Sequence, residues 1–214
     1  MTPLLVRCHV PQAVSLRSGV LMLDALLMAM VARRDGLPPV ETARAEGLPM
    51  TPPIPVAEAH GVYQVSEGRA RFAERELRNK NRRPPIVELL HLAPRTGRAD
   101  ISTGPNKAYR VPYETGFLAE PLTWYCLGDA EGIRALLALC TAVGRMIGVG
   151  YGRVERWEVA PCETWPGFPV LRAGRPLRPL PLDYPGVTEG VQRWGVYRPP
   201  YWEYAREEAV WTAA

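Results

Sequence analysis

The sequence predicts an α+β fold in which an antiparallel sheet carries two helices on one face. Three segments predict it: apolar residues alternate from Leu4 to Val10, a helical stripe runs from Leu23 to Val31, and a strand–helix–strand pattern spans Leu122 to Val159. Alternation is typical of a half-buried strand, and i, i+3, i+4, i+7 spacing of an amphipathic helix. With a short strand expected over 61–66, the order of elements is the split βαβ pattern.

The termini of the two helices carry their own signals. Asp24 lies in the first turn of the first helix, where the helix dipole favours an acidic residue. Asp129 is predicted to cap the second helix through its side-chain oxygen, and Gly144 to end it in a left-handed conformation. The buried stripe of that helix is expected to comprise Ile133, Leu136, Leu137 and Cys140.

Composition divides the chain into a compact part and an extension. We expect residues 1–160 to form one domain, with a basic insertion around 67–85. Many of the 23 prolines fall outside the periodic segments. Residues 161–214, rich in proline and aromatic residues, are predicted to be a C-terminal extension packed on the same domain.

The charge of the chain is carried almost entirely by arginine. There are 24 arginines against two lysines, and the net charge is +4. Arginine makes planar, bidentate contacts with phosphate, so the bias fits a nucleic-acid partner. A GC-rich genome explains it equally well, because such a genome raises Arg, Ala, Gly and Pro together. Local clusters of charge must therefore decide.

Other classes of function are not indicated. The four cysteines form no C-x-x-C pair and have no histidine at ligand spacing, so no metal or other cofactor is expected. The longest apolar run, 19–32, contains Asp24 and is too short to cross a bilayer. No secretory signal is recognisable. We expect a protein of the reducing cytoplasm with no membrane partner.

A glycine-rich segment, 144–154, is the most informative feature of the chain. It holds four glycines within nine residues, and Arg145, Tyr151 and Arg153 add two cations and a stacking face. Glycine permits positive φ and close approach of another backbone, which suits a phosphate–ribose chain. A tight reversal between helix and strand is the alternative. The candidate RNA-binding residues here are Arg145, Gly148, Gly150, Tyr151, Gly152 and Arg153.

Basic residues also cluster over 69–83, where seven cationic residues accompany two acidic ones. Such a cluster attracts phosphates and makes binding depend on salt, although charge runs are usually solvated surface. The polar connection 97–112 holds a basic–aromatic–basic group that can bind a phosphate and stack a base. A polar strand edge explains that group equally well. The candidates in these segments, with one more on the open sheet face, are Arg75, Arg78, Lys80, Arg82, Arg83, Lys107, Tyr109, Arg110 and Arg7.

Three segments carry a resemblance to a known family: 23–27, 106–109 and above all 128–157. They resemble the RAMP superfamily of CRISPR-associated proteins, in particular the 5′-handle-binding subunit of type IV effector complexes. The resemblance implies a ferredoxin-like (RRM-like) fold that grips the 5′ handle of a guide RNA, with 69–83 as a thumb-like element. It implies a repeating backbone subunit and a large subunit as partners, with target DNA as a further candidate. Tryptophans and tyrosines of the C-terminal extension would then contact neighbouring subunits.

The functional prediction is a non-catalytic RNA-binding subunit of a type IV CRISPR ribonucleoprotein, capping the backbone. The alternative is a metal-independent endoribonuclease that processes precursor guide RNA. Such nucleases use a positioned general base to activate the 2′-hydroxyl, and His60 is the candidate among the three histidines. No acid–base partner lies at convincing spacing from it, so we expect no enzymatic activity.

Overall fold

A computed structural model of the protein describes residues 1–37, 52–82, 109–201 and 207–213, with the backbone alone at 17, 80–82 and 109–111. Its central sheet has three antiparallel strands. Strand β1 (Thr2–His9) lies between β8 (Leu122–Gly128) and β9 (Arg156–Pro161), and Val6 is paired with Trp124 on one side and Val159 on the other. These strands confirm the alternation patterns in the sequence, with β9 shifted by two residues from its predicted position.

Two α-helices pack on the buried residues of this sheet. Helix α1 (Leu23–Arg34) and helix α2 (Ala130–Leu137) contribute their stripes to the same core as alternate residues of β1 and β8. As predicted, the Asp129 carboxylate caps α2, accepting hydrogen bonds from the backbone N–H of Gly132 (3.0 Å) and of Glu131 (3.3 Å). The prediction that Gly144 ends α2 is wrong, because the helix stops at Leu137.

A long two-stranded ribbon is the least expected element. Strand β6 (Phe72–Arg82) pairs along its length with β7 (Tyr109–Leu118). Most of the basic insertion is therefore a strand, and the end of the predicted polar connection at 109–112 begins its partner. Phe72 and Leu118 pack against the core, so the ribbon is anchored at that end.

Short strands complete the described part of the chain. β2 (Val20–Met22) pairs with β5 (Glu67–Arg69), and β3 (Glu58–Ala59) with β4 (Val62–Tyr63). In the C-terminal part, β10 (Leu171–Arg172) pairs with β11 (Arg175–Pro176). A three-stranded sheet has the order β12 (Leu180–Pro181), β14 (Glu208–Thr212), β13 (Val191–Gly195).

The predicted α+β class is confirmed: small antiparallel sheets accompany two α-helices in the described residues. The split βαβ arrangement would place a fourth strand beside β8. In its place, isolated bridges join Val56 to Gly128 and Val65 to Cys126. The complete ferredoxin-like arrangement stays a prediction.

A buried ion pair joins the C-terminal part to helix α1. Arg178 Nη2 donates to Asp24 Oδ2 at 3.0 Å, and both side chains are fully buried. The Tyr201 hydroxyl donates to the same carboxylate oxygen at 2.6 Å, and burial raises the pKa of Tyr201 well above its ordinary value. Asp24 is thus the counter-ion of a buried arginine, a role that its position in the first turn of α1 did not indicate.

Candidate nucleic-acid interface

The β6–β7 ribbon separates its charges along its length. Its acidic residues, Glu74, Glu76 and Glu114, lie toward the end that is anchored in the core. From Arg78 outward, the two strands carry four cationic residues and no acidic one: Arg78, Lys80, Arg82 and Arg110. The outer half of the ribbon is therefore rich in cationic residues.

The glycine-rich turn is built against the loop that follows β1. Residues 13–15 of that loop lie between the turn and the ribbon. Val14 exchanges both backbone hydrogen bonds with Gly116 of β7, at 2.8 and 3.0 Å. On the other side, the N–H groups of Arg145 and Gly152 donate to the carbonyls of Ser15 (2.7 Å) and Ala13 (2.9 Å).

Two of the four glycines are required by this packing. Gly144 has φ +85°, and a Cβ there would lie 2.6 Å from the Ser15 carbonyl oxygen. Gly152 has φ +70°, and its Cβ would lie 1.9 Å from the Val143 carbonyl oxygen. At these positions the tight reversal, which was the alternative explanation, accounts for glycine.

The other two glycines lie in open space. No described atom outside the neighbouring residues would come within 4 Å of a Cβ at Gly148 or Gly150, and only Gly150 has a positive φ, +96°. Internal packing therefore does not explain the missing side chain at Gly148. The sequence predicts that a ligand backbone approaches closely at Gly148 and Gly150. For Gly148, this hypothesis still accounts for the absence of a side chain.

The structure brings the ribbon and the turn into contact through side chains. Arg78 Nη1 donates to the Tyr151 hydroxyl at 2.9 Å, across 73 residues of sequence. Tyr113 of β7 stacks edge-to-face with Tyr151, with ring centroids 6.1 Å apart. A hydrogen bond with Tyr151 raises the pKa of Tyr113. Two segments singled out separately in the sequence thus form one surface.

A cleft of about 610 Å³ opens beside the turn, and its lining includes Gln12, Tyr151 and Arg153. Arg145 and Arg153 are exposed, and neither guanidinium forms an ion pair with any residue that the structure describes. Ile147 and Val149 are also exposed, at 47% and 58%. The sequence analysis did not identify this apolar tip, although both residues stand in the glycine segment.

The other predicted residues on the ribbon are placed as follows. Lys80 is the register partner of Val111, Asn81 of Arg110, and Arg82 of Tyr109. The Arg75 guanidinium lies over the Phe72 ring at 4.5 Å, and Arg75 Nη1 is 3.9 Å from a Glu114 carboxylate oxygen. Arg83 and Lys107 lie outside the described residues.

Arg7 lies in a different cleft. That cleft has a volume of about 740 Å³ on the sheet face opposite the helices, and it shares no lining residue with the cleft at the turn. Arg7 Nη1 is 3.7 Å from Glu158 Oε2, and His9 Nε2 is 2.9 Å from Glu158 Oε1. The hydrogen bond from Arg156 lowers the pKa of Glu158, and the charge of His9 acts in the same direction. The structure therefore does not bring Arg7 to the ribbon and turn.

His60 occupies the turn of a hairpin between β3 and β4. It adopts a left-handed conformation with φ +51°, and Gly61 follows with φ +69°, so both central residues have the positive φ of a two-residue hairpin turn. The His60 ring stacks edge-to-face on Tyr184 at 5.4 Å. His60 is thus held in a hairpin turn against Tyr184.

The described residues contain neither a cluster of metal ligands nor a helix suited to a bilayer. No group of three or more His, Cys, Asp and Glu side chains among them is arranged to hold a metal ion. In the same part of the chain, every helix is too short or too polar to traverse a bilayer.

These observations define a mixed α+β protein with a basic ribbon fixed to a glycine-rich turn. The family described as CRISPR type IV associated protein Csf3 matches residues 62–213. Because the match covers most of the chain, the protein belongs to this family. The match includes the ribbon, the turn and the C-terminal part, whereas β1 and α1 precede it. None of the curated proteins matches the chain.

Proposed function

We propose that the protein is a non-catalytic RNA-binding subunit of a type IV CRISPR effector complex that grips the 5′ handle of the guide RNA. The observation that carries the proposal is the hydrogen bond from Arg78 to Tyr151, because it joins the basic ribbon to the glycine-rich turn. Membership in a type IV CRISPR-associated family makes a guide ribonucleoprotein the natural setting.

The ribbon would supply the electrostatic part of binding. Its outer half concentrates cationic residues, and the guanidinium groups of Arg145 and Arg153, which form no ion pair within the described part of the chain, extend the positive charge to the turn. Cations that neutralise phosphates release counter-ions, so the affinity falls as salt rises. Arg78 also pairs with Glu76, through Nε at 2.8 Å and Nη2 at 2.7 Å, so one N–H on each of its terminal nitrogens remains to bind a phosphate.

The turn would supply close contact with the RNA backbone and stacking. Without side chains, Gly148 and Gly150 let a ribose–phosphate chain approach the peptide backbone. Tyr109 and Tyr151 are the candidate stacking residues, and the exposed Ile147 and Val149 offer an apolar surface to a base. Arg7 lies in the separate cleft, so it would contact RNA only if the RNA extends across the sheet face opposite the helices.

The remaining parts of the proposal follow from the resemblance. The protein would have a ferredoxin-like fold, work in the cytoplasm, and contact the backbone and large subunits and target DNA. Its role would be recognition without cleavage. The hairpin position of His60 agrees with this, since its left-handed backbone and its contact with Tyr184 are structural features.

Salt-dependent filter binding tests the ribbon. The double variant Arg78→Ala with Arg82→Ala should reduce the slope of log affinity against log salt by about 1.4 for a single-stranded handle RNA, since each phosphate contact contributes about 0.7. The matched control removes Arg34 and Arg175, which are exposed and paired with Asp35 and Glu189. Equal slopes for the two double variants would refute the proposed interface.

Incubation with a synthetic repeat RNA in EDTA tests the absence of catalysis. Stable binding with intact RNA is the expected result. A product ending in a 2′,3′-cyclic phosphate, lost in His60→Ala, would establish the endoribonuclease alternative.

A further inference from the structure

Strand β13 (Val191–Gly195) is an open edge of the C-terminal sheet. It pairs with β14 on one side, and no described strand lies on its other side. The four residues from Val191 to Trp194 are all exposed. Natural edge strands are usually protected by proline, by charged side chains (lysine above all), by a bulge or by a covering segment, and Arg193 is the one charged residue of this strand. The sequence Val-Gln-Arg-Trp-Gly has no proline or lysine, and its pairing with β14 has no bulge.

Trp194 is the most exposed large apolar residue of the described chain, at 77%. The other four described tryptophans each donate the indole N–H to a backbone carbonyl, namely that of Leu21, Cys140, Leu171 and Leu182. Among the described residues, the indole of Trp194 has no acceptor. An amphipathic ring with its apolar face and its donor both unused is typical of a binding anchor.

We infer that β13 is the docking edge for an extended segment of another protein subunit, which adds to this sheet as a fourth strand. The free N–H and C=O groups of a strand edge match those of a second polypeptide, whereas a nucleic acid has no corresponding ladder. Alternate side chains of the added strand would contact Trp194 on one face and Val191 and Arg193 on the other. Arg193 favours an acidic residue in that segment.

Charge argues against RNA at this edge. The strand has a single cation, Arg193. Glu189, which pairs with Arg175, precedes the strand, and Glu208 is the register partner of Gly195. The surface thus lacks the concentrated positive charge of the ribbon. The inference needs only an assembly of several proteins, so it stands independently of the proposed RNA handle.

Site-specific photocrosslinking tests the occupant. The full chain, with p-benzoylphenylalanine in place of Gln192 on the same face as Trp194, is co-expressed with the other subunits and guide RNA of its own effector complex. After irradiation, mass spectrometry should find crosslinks to one segment of a different protein subunit, and ribonuclease treatment beforehand should leave them intact. Crosslinks only to RNA, only to a second copy of this chain, or to nothing would overturn the inference.

Truncation of the anchor tests its energetic importance. Trp194→Ala should weaken retention of the chain in the complex by at least about 30-fold, the loss typical of a tryptophan hot spot. Its melting temperature should stay unchanged, because the side chain is exposed. The matched control is Leu182→Ala, which removes an apolar side chain that is 42% exposed just after β12, at the opposite edge of the same sheet. Equal retention of the two variants would overturn the inference.

Discussion

Substitution Asp24→Ala should destabilise the protein more than any surface change, because it leaves Arg178 as a buried charge without a counter-ion. Arg178 donates to the carbonyls of Tyr63 (2.7 Å), Val65 (3.1 Å) and Tyr197 (2.7 Å), as well as to the Asp24 carboxylate and the Tyr201 hydroxyl. Those three carbonyls are dipoles and cannot neutralise the guanidinium.

The expected magnitude follows from burial. Both side chains of the pair have zero exposure, and removing one partner of such a pair costs about 3–5 kcal/mol. For a chain of this size, that loss corresponds to a fall in melting temperature of roughly 6–20 °C. In this variant the Tyr201 hydroxyl also loses its acceptor, so the loss of unfolding free energy should lie toward the upper end of that range.

Urea unfolding monitored by tryptophan fluorescence measures the effect. The matched control is Asp35→Ala, since Asp35 also pairs with an arginine, Arg34 at 2.7 Å, but is solvent-exposed. The control should leave the free energy of unfolding unchanged within error. A loss below about 1 kcal/mol in Asp24→Ala would refute the reasoning, because it would mean that water or another acid reaches Arg178.

Two further predictions concern the turn and the thiols. Gly152→Ala should lower the melting temperature, because its Cβ would clash with the Val143 carbonyl. Gly148→Val should keep the melting temperature but weaken binding of handle RNA, since a Cβ at that position meets no described atom. Unchanged RNA affinity of Gly148→Val would contradict close approach of the RNA backbone at Gly148. Burial raises the pKa of all four thiols, that of Cys126 to about 12, but Cys8, Cys126 and Cys140 are buried whereas Cys162 is half-buried. In the native protein at mildly alkaline pH, a thiol reagent should therefore modify only Cys162. Full reaction without denaturant would show that the core opens.

The central sheet and both helices could be predicted because their burial is periodic. Leu4, Val6 and Cys8 alternate in the sequence as they do in the core, and Asp129 stands where a helix needs an acceptor. In such elements the local pattern and the tertiary packing agree. The same kind of local pattern predicted that α2 runs as far as Gly144, whereas the helix ends at Leu137. A left-handed glycine ends many kinds of segment besides helices, so Gly144 alone does not mark a helix end.

The ribbon and the buried pair could not be predicted for a shared physical reason. Strand β6 exposes most of its residues, so no apolar alternation marks it, and its register with β7 depends on residues 27 or more positions away. Arg178 and Asp24 are separated by 154 positions, and each looks like ordinary surface charge until the chain folds. Of the candidate site, residue types were therefore predictable, but their contact was not.

The contact between ribbon and turn also shows why the loop after β1 matters to the proposed function. Ser15 Oγ donates to the Glu114 carbonyl of the ribbon at 2.6 Å, while its own carbonyl accepts from the N–H of Arg145 in the turn at 2.7 Å. One residue thus sets the separation of the two cationic surfaces. A polyanion that spans the two surfaces meets charges at a fixed spacing. Because folding has already arranged these charges, binding loses less conformational entropy. This is the physical reason to expect recognition of a particular RNA shape there, beyond general attraction to phosphate.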